Sequence, residues 1–195
     1  MRFLSVIGVL CLLLVGCSAA ATPTPDPNIR VYSPPLPLVD FQLIDTHGEL
    51  MKLSALHGKV AIISFGFTYC PDVCPVNLAN YVAAKKALGA KADKVAFVFI
   101  SVDGERDTPP VLAEYLSKFD SSFIGLTGDE TRVRPVASIF AVRYEKYVPE
   151  GSNVDYLVSH TATWFLVNEA GALIRSYAYG MSPEAIAQDV AQFIS

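Results

Sequence analysis

Beyond residue 38 the apolar positions fall into short unbroken runs separated by amphipathic stretches. Lys59–Phe67 contains Val60-Ala61-Ile62-Ile63-Ser64-Phe65-Gly66-Phe67, and Lys94–Val102 contains Val95-Ala96-Phe97-Val98-Phe99-Ile100-Ser101-Val102. Apolar continuity over so few residues predicts strands buried on both faces. Helical patterns follow at Val73–Leu88, closed by Gly89, at Pro110–Phe119, at Glu130–Phe140 around Pro135, and at Pro183–Ile194. Ser182 suits the N-cap of the last and Pro183 its first position. Phe123–Leu126 reads as a short strand, and Thr163–Val167 with Ala172–Tyr177 as a pair turning at Asn168-Glu169-Ala170-Gly171. Phe41–Asp45 and Glu49–Leu53 read as an N-terminal hairpin.

This order predicts an α/β fold, a thioredoxin-like sandwich with a central mixed sheet. A right-handed crossover places strands 59–67 and 94–102 side by side and parallel. Cys70 and Asp103 then share the C-terminal edge, where open α/β sheets bind ligands.

The first residues have a different pattern. Arg2 precedes an apolar run from Phe3 to Val15, shorter than the roughly 20 residues that span a bilayer. It reads as an export signal. Its end, Leu14-Val15-Gly16-Cys17, resembles a bacterial lipoprotein signal, which implies cleavage before Cys17 and lipidation of that thiol. The expected organisation is a signal over 1–17, a proline-rich tether over 18–37 and one domain over 38–195. An ordered extension around Val31 and Tyr32 is the alternative for part of the tether. The expected location is the extracytoplasmic face of the bacterial cell membrane, held by the lipid anchor. The net charge of −4, with no long single-sign run, gives no sign of nucleic-acid binding.

Cysteine usage narrows the chemistry. Of four cysteines, Cys11 leaves with the signal and Cys17 is taken by lipid, so Cys70 and Cys74 remain. A disulfide between them would close too small a loop to be a useful staple. The pair lies where a buried strand gives way to a helix. With Asp72 as N-cap, Cys74 and Pro75 fall in the first turn, where proline is tolerated. A helix N-terminus favours thiolate, which is both nucleophile and metal ligand, so dithiol exchange and soft-metal binding both stay open. Three residues separate the cysteines, against two in thioredoxin-like reductases. A peroxiredoxin would place Thr or Ser where Phe67 stands. A metal site needs a third ligand, and His160, just before strand 163–167, is the candidate. Two thiolates and an imidazole suit Cu(I), whereas zinc usually takes a fourth ligand.

Phe65-Gly66-Phe67-Thr68-Tyr69-Cys70-Pro71-Asp72-Val73-Cys74-Pro75 resembles the signature of the Sco/SenC copper proteins. Ile100-Ser101-Val102-Asp103-Gly104-Glu105-Arg106-Asp107-Thr108-Pro109, Ser159-His160-Thr161-Ala162 and Tyr179-Gly180 extend the resemblance, in order, over nearly the whole domain. It implies copper, as Cu(I) or Cu(II), held by Cys70, Cys74 and His160. It also implies delivery of copper to, or reduction of, the Cu(A) site of cytochrome c oxidase subunit II, with a copper-donor chaperone or a thiol reductant as further partners. Asp103 is then a second-shell or weak axial group, or else caps the next loop or pairs with Arg106. The chain departs from the family pattern at Gly104, where proline is common, at Ser159, where Asp often precedes the His, and at Trp164-Phe165.

Two functions compete. One is a membrane-tethered copper metallochaperone. The other is an enzyme, a thiol–disulfide oxidoreductase using Cys70 and Cys74 as a redox-active pair, in which His160 is dispensable or only tunes the thiolate. Copper-linked redox sensing is neither supported nor excluded. The only methionines beyond the signal, Met51 and Met181, do not make a methionine-rich copper site.

Overall fold

The structure, a computed structural model, describes residues 26–151 and 154–195. The expected signal, Cys11 and Cys17 lie outside the described residues. An eight-stranded mixed sheet runs in the order β1 (Ile29–Pro37), β10 (Ala172–Tyr177), β9 (Trp164–Val167), β4 (Val60–Gly66), β5 (Val95–Ser101), β6 (Ile124–Thr127), β2 (Gln42–Asp45), β3 (Leu50–Lys52). Strands β4, β5 and β6 are parallel, in the register Gly66↔Ser101 and Phe99↔Gly125, and β9 runs antiparallel to β4. The fold is the expected thioredoxin-like sandwich.

Every residue of β4 and β5 is buried, because layers cover both faces of the sheet. Side chains alternate between faces along a strand, and the two cores sort accordingly. Ile63, Phe65, Val98 and Ile100 join Val136 and Phe140, from and just after α3 (Glu130–Ile139). Ile62, Phe97 and Phe99 face the other way. They meet Leu78 and Tyr81 of α1 (Val73–Leu88), Leu112 of α2 (Pro109–Ser117) and Ile186 of α4 (Pro183–Val190). Ser182 caps α4 as expected, accepting from Ala185 N–H, but that helix stops at Val190 rather than Ile194.

One element is legible only as the alternative, the ordered extension around Val31 and Tyr32, and one is not legible at all. Residues 29–37, inside the expected tether, form β1 and pair with β10. Its prolines fit because it is an edge strand, where missing N–H donors do no harm. The second is a hairpin outside the main sheet, β7 (Tyr144–Tyr147) with β8 (Leu157–His160), which pairs Tyr144 with His160. Its mostly exposed Tyr-Glu-Lys-Tyr strand gives no apolar run to read.

Candidate metal centre

Strand β4 ends at Gly66, the chain turns through residues 67–72, and α1 starts at Val73. Cys74 and Pro75 are the second and third residues of α1. The first N–H groups of a helix lack intrahelical partners, and that of Cys74 points at Cys70 Sγ, 3.5 Å away. Asp72 occupies the N-cap position but makes no side-chain cap bond, so the cap expected of it is absent. Gly66 seats the buried sulfur: a Cβ there would stand 2.7 Å from Cys74 Sγ and 2.8 Å from the Phe99 ring.

His160 arrives from the far end of the chain. Its Nε2 lies 3.2 Å from Cys74 Sγ, and its Nδ1 lies 3.1 Å from Thr161 O. A carbonyl only accepts, so Nδ1 carries the proton and Nε2 turns its lone pair toward the sulfurs. The Phe67 ring stands edge-on to the imidazole at 5.8 Å. The donor atoms of Cys70, Cys74 and His160 all lie within 4.8 Å of one another, and no fourth His, Cys, Asp or Glu joins them among the described residues. Thus the three residues named from sequence meet at the C-terminal sheet edge.

The two thiols are unequal. Cys70 is pulled down to about 3, first by the hydrogen bond from Cys74, with help from the Asp72 and Cys74 N–H groups and against the cost of burial. Cys74 is pushed up, first by that same bond to Cys70 and then by burial. One thiolate therefore forms readily at half-buried Cys70, while Cys74 keeps its proton until something replaces it.

The SCO1/SenC family model matches residues 35–195 of this chain. The chain belongs to the SCO1/SenC family. A SCO2-like protein of Rickettsia felis is 36% identical over 147 residues, covering 75% of this chain and 72% of that one. Bradyrhizobium japonicum ScoI, solved with copper bound, superposes with a TM-score of 0.71 at 39% identity, over 78% of this chain and 96% of that one. BsSco, described with a disulfide switch as a member of the Sco family of cytochrome c oxidase assembly proteins, superposes with a TM-score of 0.65 at 25% identity, over 81% of this chain and 93% of that one.

Within this Sco site, Asp103 pairs with Arg106, one of the alternatives open to it. Its buried carboxylate accepts from Arg106 Nε at 2.6 Å and Tyr156 Oη at 2.7 Å, and none of its hydrogen bonds reaches Cys70, Cys74 or His160. The carboxylate that anchors the cysteine loop is Asp107, which sequence reasoning passed over. Completely buried, it accepts from Thr68 N at 2.9 Å, Thr68 Oγ1 at 2.6 Å and Ser101 Oγ at 2.6 Å. Burial holds its carboxyl above the usual range. It shares the stretch 100–109 with Asp103, and nothing about its spacing separates the two.

Two departures from the family pattern have structural reasons. A Cβ on Gly104 would fall 1.8 Å from Gly128 O, so here the backbones touch. Trp164 is a core residue, packed edge-on against Tyr81 with centroids 4.5 Å apart. Ser159 is exposed, and no contact of its side chain explains it.

Proposed function

We propose that this chain is a membrane-tethered copper metallochaperone that delivers copper to, or matures, the Cu(A) site of cytochrome c oxidase subunit II. The observation that carries the reading is the meeting of two sulfurs and a lone-pair-bearing Nε2 within 4.8 Å. Soft donors in low number suit Cu(I). Cys70, Cys74 and His160 hold the cargo, and the pair must be reduced to do so. A Cys17 lipid anchor keeps the domain at the extracytoplasmic membrane face, near an oxidase partner. A copper-donor chaperone or a thiol reductant prepares it.

A second reading rests on the Cys70 thiolate. It attacks a partner's disulfide to give a mixed disulfide, and Cys74 then loses its proton and displaces the second partner thiolate. The partner gains two electrons and the Cys70–Cys74 pair becomes a disulfide.

The test is Cu(I) competition titration of the reduced chain carrying Cys11→Ser and Cys17→Ser, beside Cys70→Ser, Cys74→Ser and His160→Ala. Tight one-to-one binding that weakens in all three variants supports the chaperone. Binding indifferent to His160 overturns the three-ligand site and moves the function to dithiol exchange.

A further inference from the structure

The hairpin β7–β8 carries His160 but belongs to no part of the eight-stranded sheet. Its inner bonds, such as Thr161 N–H to Arg143 O at 3.0 Å, hold it together, while Tyr144 and Val158 pack into the core, Tyr144 Oη donates to Glu130 at 2.8 Å and Lys146 pairs with Glu105 at 2.7 Å. A tie to the body of the domain forms one residue before β8. Tyr156 Oη donates to Asp103 Oδ1 at 2.7 Å, and Tyr156 O accepts from Arg106 Nη1 at 3.0 Å. The Arg106 guanidinium lies 3.7 Å from the centre of the Tyr156 ring, and Lys146 Nζ lies 4.5 Å from it. Asp103 is itself fixed, by Arg106 Nε and by its own N–H on Ser101 Oγ at 3.0 Å.

The same guanidinium reaches the cysteine loop. It lies 4.8 Å from the Tyr69 ring and 5.8 Å from the Phe67 ring, and Phe67 stands edge-on to His160. One cationic group therefore joins the loop that presents Cys70 to the arm that presents His160. At about 3.3 Å per strand residue, Tyr156 sits about 13 Å along the arm from His160, with buried Val158 between them.

We propose that Tyr156 is a positioning residue for His160: the Tyr156–Asp103–Arg106 latch holds the imidazole at the thiols, and opening it frees the third donor while the thiol pair stays in place. The inference deepens the copper reading and rests on it only for the consequence to affinity. Two thiolates that lose their imidazole hold a soft metal less firmly, which makes the latch a determinant of retention.

Tyr156→Phe removes the hydroxyl and keeps the ring over Arg106. In the metal-free full chain, with Cys11→Ser and Cys17→Ser, in detergent micelles, 15N relaxation should show residues 157–161 becoming mobile while β4 and β5 stay rigid. With Cu(I), Tyr156→Phe should bind about tenfold more weakly. In a His160→Ala background the same substitution should change affinity by less than about twofold, because the coupling runs through the imidazole. Equal weakening in both backgrounds, or unchanged relaxation, overturns the latch. Arg106→Lys keeps the charge beside Asp103 and loses the planar stack. It should repeat the pattern, and it decides the matter should Tyr156→Phe lose its fold. If His160→Ala leaves copper affinity unchanged, the ligand reading fails, and the metal-free relaxation alone decides the latch.

Discussion

Cys74 Sγ and His160 Nε2 stand 3.2 Å apart although 86 residues separate them. The sulfur is placed by the first turn of α1, packed over Gly66. The imidazole is placed by a hairpin that leaves the sheet. The contact exists only when both elements are home, so the site reports on the whole fold.

Gly66→Ala sets a Cβ against Cys74 Sγ and the Phe99 ring, both buried. The expected cost is about 1–3 kcal/mol of stability, as for overpacking elsewhere, with weaker Cu(I) binding because the sulfur is displaced. Urea unfolding and copper competition on the same samples check both.

Cys70, at about 3, titrates below the roughly 8.5 of an unfolded thiol. Between those values the folded chain has released a proton that the unfolded chain keeps, so its stability rises with pH. This contribution is complete above the unfolded value and is lost as pH falls through the folded one. The raised Cys74 has the opposite sign, and its effect begins only above the ordinary thiol value. Iodoacetamide should therefore modify Cys70 at a nearly constant rate between about pH 5 and 8, where an ordinary thiol speeds up about tenfold per unit. Cys70→Ser should flatten the rise of urea midpoint with pH over that window.

Asp107→Ala removes the acceptor of three donors from a buried position. Leaving buried donors unpaired costs about 1–3 kcal/mol each at most, and water entering the gap recovers part of it. The expected loss is about 2–4 kcal/mol by urea unfolding, with Asp107→Asn losing less because it keeps one acceptor.

Gly104→Ala brings a Cβ onto Gly128 O, a backbone atom that cannot swing aside. The expected loss is about 3 kcal/mol or more. Because Asp103 is the next residue, the Tyr156 contact should loosen with it, visible as faster amide exchange across β8.

Strands β4 and β5 were legible to within a residue or two at their ends, since unbroken apolar runs have one good solution in an α/β sandwich. The cysteine pair and its helix position were legible for the same local reason: strand end, short turn, Pro75. Asp107 and Asp103 were both visible as acids in one motif. Which would anchor the cysteine loop and which would pair with Arg106 depended on neighbours from other strands.

Local pattern by itself determined the buried strands, the helices between them, the two thiols at a helix start and the candidate histidine. These follow from periodicity, capping and residue chemistry, which act over a few positions. Tertiary structure alone decided that residues 29–37 pair as an edge strand and that a polar hairpin carries His160 to the thiols. It also decided that Asp107 anchors the loop and that Gly104 touches Gly128. Each of those depends on groups distant in sequence meeting in space, and a chain read one window at a time holds no record of that meeting.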